Sequence, residues 1–426
     1  MIKTMNKQGL LLRNKIKPQT LKGFRDFLPE EMAIRQKVID TLRKVFESYG
    51  YQPLETPSLE YATTLLGKYG KEVDKELYLF KDQGGREVGL RFDLTVPFSR
   101  VVASYPNLPK PFKRYQIQPV WRAEKPQKGR YREFWQCDFD IVGAKSPLAD
   151  AEIIAIIYES LKALGFKKFI IKINSRQVLF ELMKKAGIAK EEWFSVIRSI
   201  DKLEKTSREG VEKELSEKDL GNQTIKKIFA LINQSTPDDN LRQVLEALRV
   251  FKVPKDFYIF DPTLARGLDY YNGPIFEATV EKPKIGSIAG GGRWDELIGM
   301  FTGKSIPATG TTIGLDRICE VIKEQNLWPE VSPTPTKVLV TIFSTEYQEK
   351  SIEIANQLRN SGINAEPYLD PEAKLDKQLK YANQKGIPYV VILGPDEVKK
   401  NEVTLKNMET GDQEKIPQSK LSDYFK

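Results

Sequence analysis

Asp93, Asp138 and Asp140 stand in apolar, strand-like text, LRFDLTVP and QCDFDIVG, where a carboxylate must either face water or line a polar pocket. Strand alternation puts Gln136, Asp138 and Asp140 on one face with Phe134, and Cys137, Phe139 and Ile141 on the other. Between Lys110 and Arg132 lie eight basic residues and the single acid Glu124. Such density suits a polyanion, either a triphosphate gripped by guanidinium forks or a nucleic-acid backbone, and it also suits a solvated loop. Within it, Arg122 and Arg132 alternate with Trp121, Tyr131 and Phe134, which predicts guanidiniums beside rings able to stack on a base. A further stretch, ARGLDYYNG, sets Arg266 beside Asp269, Tyr270 and Tyr271. As a site it offers positive charge and two phenol tips on rigid rings; as structure alone it is a surface turn over a packed Tyr. Gly290, Gly291 and Gly292 would let a ligand approach a strand backbone, or mark a turn or bulge.

Composition removes many chemistries. The chain has no histidine, which excludes Ser-His-Asp and Cys-His nucleophilic catalysis, HExxH zinc sites and histidine general bases. Cys137 and Cys319 are too few for a disulfide framework or a four-cysteine zinc site, and fit a reducing, cytoplasmic compartment. No Walker P-loop and no GxGxxG after a strand is present, so a nucleotide is expected on a sheet. The work falls to carboxylates, Arg, Lys, phenols and backbone, and electrostatic positioning suits that set. Net charge is +9, from 67 Lys and Arg against 58 Asp and Glu, in a composition of soluble type with no membrane span expected. The leading MIKTMNKQGLLLRNKIKPQ reads as a disordered basic arm, its Leu10 to Leu12 patch being too short for a signal sequence.

The elements that must position these residues follow from periodicity and punctuation. Apolar spacing from Asp26 to Tyr49 predicts a helix stopped at Gly50, then a strand over Tyr51 to Glu55. Tyr78 to Arg100 reads as a hairpin turning at Gly84-Gly85, with alternation carried through Leu90, Phe92 and Leu94. RYQIQPVWRAE and REFWQCDFDIVG form an antiparallel pair joined by KPQKGRY. A helix over Pro147 to Leu164 and a strand over Phe169 to Ile173 come next. Residues 175–253 are dominated by charged helical patterns and read as an insertion. Strands resume in FYIFDPTLARGLDYY, IFEATVE and SIAGGGRWD, and a helix opens near Gly314. Pro329, Pro333 and Pro335 mark a linker before a separate αβ domain with strands at Val338 to Phe343 and Ile387 to Leu393.

Taken together, these stretches resemble the class II aminoacyl-tRNA synthetases and, within them, the histidyl-tRNA synthetase family. GFRDFLPEE through ETPSLEY, with Pro57, is similar to motif 1. VWRAEKPQKGRYREFWQCDFD is similar to motif 2, and GTTIGLDRI with Arg317 to motif 3. LARGLDYYNG and AGGGRWD are similar to the two segments peculiar to the histidine enzymes. The resemblance implies an α+β fold: an antiparallel-sheet catalytic domain over residues 1–174 and 254–328, a helical insertion over 175–253, a linker over 329–336, and an α/β anticodon-binding domain over 337–426. It also implies a homodimer through motif 1. The expected reaction joins L-histidine to ATP as histidyl-adenylate and then transfers it to the 3′ end of tRNA(His), with Mg²⁺ carried on the phosphates and no metal held by the protein.

Residue by residue, the resemblance makes Asp93 and Thr95 the holders of the substrate amino group and places Gln136 near its carboxylate and amine. Asp140 with Tyr271 reads the imidazole, and Tyr270 and Arg266 join the same histidine site. Arg122 and Arg266 match α-phosphate contacts, and both are expected to be catalytic. Glu124 and Phe134 match the adenine side, and Arg317 the motif 3 arginine near the nucleotide tail. Lys125, Gln127 and Lys128, at the tip of the motif 2 loop, are candidates for the tRNA acceptor end. Two positions depart from the family pattern. Trp294 stands where Tyr is common, and Lys125 replaces an Arg, keeping charge without bidentate geometry.

Three rivals are weighed against this reading. A synthetase-like regulatory subunit that senses histidine would be expected to lack the anticodon domain and the arginine pair. Another class II synthetase is disfavoured by ARGLDYY. A plain nucleic-acid binder is disfavoured by the near balance of acids and bases after Pro335.

Overall fold

The computed structural model describes residues 17–68, 73–126, 129–203, 206–267 and 270–425. Residues 1–16 of the basic arm expected at the start of the chain, the loop residues Gln127 and Lys128, and Asp269 lie outside them. The chain divides into two compact units, one of residues up to Asp26 and from Val38 to Leu327, the other of Phe27–Lys37 and Trp328–Lys426.

The first unit is organised by an eight-stranded sheet. In spatial order its strands are Gln52–Pro53, Phe112–Trp121, Glu133–Val142, Ala308–Gly314, Ser287–Arg293, Pro274–Thr279, Ile170–Ser175 and Tyr258–Phe260. The six inner strands pair antiparallel throughout, and each edge strand is added in parallel. Period-two alternation divides the Glu133–Val142 strand between two environments. Cys137, Phe139 and Ile141 face the helices behind the sheet, where Phe139 meets Phe46 with ring centroids 4.7 Å apart. The helix Pro147–Ala163 crosses that same back face and buries Ile153, Ile154, Ile156 and Ile157. Ser146 caps it, accepting from the Leu148 amide, with Pro147 pre-set for the first turn.

Two strand expectations are corrected. The Tyr78 to Arg100 stretch does turn at Gly84-Gly85, but its second strand ends at Leu90, and Thr95–Ser104 is a helix. Asp93 Oδ1 accepts the Val96 amide at 3.0 Å, so a carboxylate at the helix start overrides the apolar alternation. Among the described residues of FYIFDPTLARGLDYY, only Tyr258–Phe260 joins the sheet. Beyond it Arg266 takes φ +59°, which no ladder accommodates.

Residues 176–250 form a run of helices, among them Arg176–Ala186, Trp193–Ile200, Arg208–Ser216, Asn222–Gln234 and Asp239–Val250. Their N-termini are punctuated by Ser175, Ser207 and Asp238, each accepting a backbone amide of the first turn, a contribution of about 1 kcal/mol apiece. Ile225, Ile228, Phe229 and Ile232 make the apolar stripe of one helix and join Val196, Ile197, Leu264, Tyr271 and Trp294 in a single core. The helical run therefore shares its packing with the site.

In the second unit a five-stranded sheet runs Ala365–Pro367, Val338–Val340, Tyr389–Ile392, Glu402–Asn407 and Gln413–Pro417, parallel in its first two pairs and antiparallel in its last two. Val338 and Val340 pack with Ile354 and Leu358 of the helix Gln348–Asn360, while Leu339 packs on the other side with Ala382 of the helix Leu375–Lys385. Helices on both faces explain why VLV reads as an unbroken apolar run.

Candidate active site

The front face of the large sheet carries two rows of register partners. Across four strands one row reads Arg114, Asp140, Gly310, Gly292, and the row beside it Gln116, Asp138, Thr312, Gly290. Asp138 and Asp140 are each only 2% exposed, so the polar side of this strand lines a pocket and does not face water.

The glycines of these rows make room for side chains of the protein itself. A Cβ on Gly310 would overlap the Asp140 carboxylate, and one on Gly290 would overlap the Arg266 guanidinium. At Gly292 it would stand 2.9 Å from the Tyr271 ring. The expected close approach to the AGGGR backbone is thus made first by Arg266 and Tyr271, with Gly290 also reaching the cavity wall.

Two adjoining chambers open over this floor, of about 680 and 200 Å³. The larger is lined by every residue expected at the histidine site: Asp93, Thr95, Gln136, Asp140, Arg266, Tyr270 and Tyr271. The smaller is lined by the four expected at the nucleotide, Arg122, Glu124, Phe134 and Arg317. Lys125 is exposed and lines neither, while Gln127 and Lys128 fall outside the described residues.

The larger chamber is acidic. Arg114, wholly buried, reaches Asp140 Oδ2 at 2.8 Å and Asp138 Oδ2 at 3.9 Å, and lies 4.2 Å from the Phe98 ring centre. Burial pushes both carboxyls above the usual range. Arg114 opposes this at each, the neighbouring aspartates add to it, and a hydrogen bond from the Trp294 indole holds Asp140 down. Trp294 is itself buried and lines the chamber, setting an indole donor beside Asp140. Asp93 Oδ2 accepts from the Tyr270 hydroxyl at 3.4 Å. Asp138 Oδ1 and Gln136 Oε1 are buried without a hydrogen-bond partner, acceptors facing a cavity.

Where the chambers meet, charge changes sign. Arg122, Arg130, Arg266 and Arg317 line both chambers. Arg122 stands just past the end of the strand Phe112–Trp121, with its guanidinium 4.2 Å from the Phe92 ring centre and 5.0 Å from that of Phe134. Burial lowers the affinity of Arg317 for its proton, and Arg130, Arg122 and Arg266 lower it further. Mutual repulsion among guanidiniums in one cleft is the electrostatic signature of a site for a polyanion. Arg266 is held differently: burial works against its charge, but the Glu277 carboxylate, 2.8 Å from NH1, raises it. Arg317 donates to the Ser287 carbonyl, and Arg130 pairs with Glu124.

The basic strip of the sequence is therefore not one surface. Arg114 supports the acidic chamber, Lys113 pairs with Glu152 at 2.7 Å, and Arg132 ties down the Glu124 carbonyl. Sequence reasoning missed Glu277 and Asp201, which line the larger chamber, and Arg114 and Arg176, which act behind it through the Asp140 carboxylate and the Arg266 carbonyl. Polar alternation in RYQIQ could have found Arg114, and a lone acid in IFEATV could have flagged Glu277. Asp201 follows an ordinary amphipathic helix and gave no signal. Among the described residues no cluster of three or more His, Cys, Asp or Glu is arranged to hold a metal ion.

The chain matches the family description "Histidyl-tRNA synthetase" over residues 23–318 and "Anticodon binding domain" over 337–426. It is 40% identical to a histidine–tRNA ligase of Rhodopirellula baltica, over 95% of this chain and 96% of the relative. A histidine–tRNA ligase of Aeropyrum pernix is 41% identical, over 94% and 96% of the two chains. Among solved structures, histidyl-tRNA synthetase from Nostoc sp. aligns with TM-score 0.83 and 31% identity, covering 96% of this chain and 99% of its own. An ATP phosphoribosyltransferase regulatory subunit/histidyl-tRNA synthetase from Bacillus halodurans, 23% identical with TM-score 0.73 over 89% of this chain, shares the fold.

Proposed function

The chain belongs to the histidyl-tRNA synthetase family, and from that premise we propose how its two chambers divide the reaction of a histidine–tRNA ligase. One observation carries the assignment: a single cleft is acidic in its inner chamber and lined by four guanidiniums where it meets the outer one. An amino acid with an ammonium and an imidazole suits the first, and a triphosphate suits the second.

L-Histidine lies over the sheet with its amino group toward Asp93 and Thr95 and its carboxylate near Gln136. Asp140 and Tyr271 hydrogen-bond the imidazole, with Tyr270 packed beside them. ATP occupies the outer chamber, its adenine between Glu124 and Phe134 and its tail near Arg317. A histidine carboxylate oxygen attacks the α-phosphorus; that O–P bond forms as the bond to pyrophosphate breaks, and Arg122 and Arg266 meet the charge on the α-phosphate oxygens. The terminal adenosine hydroxyl of tRNA(His) then attacks the histidyl carbonyl, and AMP leaves. No protein nucleophile is required, which suits a chain without histidine. Mg²⁺ travels with the phosphates, and among the described residues no cluster of carboxylates is arranged to cage it.

Residues 337–426 take the anticodon arm, and Lys125 with Gln127 and Lys128 the acceptor end. No helix among the described residues is long and apolar enough to cross a membrane, and a cytoplasmic enzyme fits that finding. A homodimer through motif 1 fits the exposed apolar residues Leu59, Tyr61, Leu79, Phe80 and Tyr105 on and beside a three-stranded sheet of Leu59–Tyr61, Glu87–Leu90 and Leu79–Lys81.

ATP–pyrophosphate exchange with each amino acid in turn tests the reading. Only histidine should support fast exchange, because buried groups built to bond an imidazole stay unpaired with any other side chain. Comparable exchange with glutamine or proline would refute it.

A further inference from the structure

We propose that Asp201, supplied by the helical run, is a positioning residue that aims Arg266 into the cleft. Asp201 sits at the C-terminal end of the helix Trp193–Ile200, far in sequence from the sheet. Its Oδ1 accepts two successive backbone amides, those of Ala265 and Arg266, each at 3.2 Å. On the other side, the Arg266 carbonyl accepts from Arg176 NH2 at 2.8 Å, and Asn174 Nδ2 donates to the Leu264 carbonyl at 2.8 Å. These bonds hold Arg266 at φ +59°, a left-handed conformation that residues with a Cβ adopt only when their surroundings impose it.

That backbone geometry decides where the side chain goes. In a β conformation the segment would extend along the sheet edge; in the left-handed one the guanidinium lies over Gly290, with NH1 on Glu277 at 2.8 Å. Glu277 fixes the tip and Asp201 the root. Because Ile197 and Ile200 of the same helix are packed in the core shared with Leu264 and Ala265, a shift of that helix would carry the Asp201 carboxylate with it. The helical run is thus mechanically joined to the cation proposed to meet the α-phosphate, and the inference rests on that reading of Arg266.

A double-mutant cycle on the full-length enzyme, read by histidine-dependent ATP–pyrophosphate exchange and by thermal midpoint, tests it. Asp201→Ala should lower kcat by about 10²-fold, the scale of a misplaced catalytic group, while KM for histidine and ATP stay within about threefold. Asp201→Asn keeps an acceptor of the same shape at about half the strength, so kcat should fall several-fold, but by less than about tenfold. Added to Arg266→Ala, Asp201→Ala should cost nothing further. An additive loss in the double variant, a parent-like kcat for Asp201→Ala, or a raised histidine KM with kcat kept would each overturn the proposal. If Asp201→Ala does not fold, Asp201→Asn decides: a several-fold kcat loss with unchanged KM supports it, and a parent-like kcat overturns it. Failure of the Arg266 reading itself is seen separately, as exchange retained by Arg266→Ala alone.

Discussion

Asp140 and Gly310 are register partners on neighbouring antiparallel strands, and the aspartate carboxylate fills the space a side chain at 310 would need. On the other flank Arg114 pairs with the same carboxylate at 2.8 Å. Asp140 is therefore fixed from both sides, able neither to turn away from the cavity nor to be displaced without breaking a buried ion pair.

Gly310→Ala should for that reason act as a histidine-binding lesion, by displacing the Asp140 carboxylate. A raised KM for histidine of about tenfold or more, equivalent to roughly 1.4 kcal/mol, is expected, with KM for ATP nearly unchanged. Asp140→Ala should do the same more severely. Steady-state exchange at varied histidine and fixed ATP measures both, and an unchanged histidine KM in both variants would remove Asp140 from the imidazole site.

Arg266→Ala should lower the rate of adenylate formation by about a hundredfold or more, roughly 3 kcal/mol of transition-state stabilisation. Arg266→Lys keeps the charge but loses the fork that reaches Glu277 and a phosphate together, so it should remain badly impaired. Single-turnover formation of histidyl-adenylate would report this directly; near-parent rates in the Lys variant would show that point charge alone suffices.

The buried carboxyl pair gives a pH signature in stability. Asp138 titrates above its ordinary range in the folded chain, chiefly through burial. Such a group favours folding while it is protonated, and that contribution is lost as pH rises through the raised value. Asp138→Asn keeps the shape without the charge, so it should raise the thermal midpoint in mildly alkaline buffer, by roughly 1–3 °C, and change it little near pH 5. A stabilisation that is larger in acid would contradict the sign.

Phe80→Asp together with Tyr105→Asp should convert a dimer to monomers in sedimentation equilibrium, since both rings are largely exposed in the single chain. The same mass before and after substitution would place the interface elsewhere.

Lys125→Ala should slow histidyl transfer to tRNA while sparing pyrophosphate exchange, because Lys125 is exposed and lines neither chamber. The salt dependence of tRNA binding should weaken as one phosphate contact is lost. Equal losses in both steps would put the loop on ATP instead.

What the sequence determined by itself was chemistry carried in local text. The lack of histidine narrowed the mechanism, alternation in REFWQCDFDIVG placed Asp138 and Asp140 on one strand face, and ARGLDYY with AGGGRWD pointed to the family. Element type was legible wherever a period ran without interruption, as in Pro147 to Leu164, and failed where one polar contact outweighed it, as at Asp93 before the helix Thr95–Ser104. Tertiary structure alone decided which polar residues meet. Alternation cannot say whether a strand's polar face looks at water or at a cavity, since that depends on what other strands lay over it. Register across four strands sets Arg114 beside Asp140 and leaves Gly290 and Gly310 as spaces, and pairing register is a property of partners distant in sequence. Asp201 is the clearest case: its text is that of any helix end, and it gains a role only because folding brings that end to the backbone of Arg266.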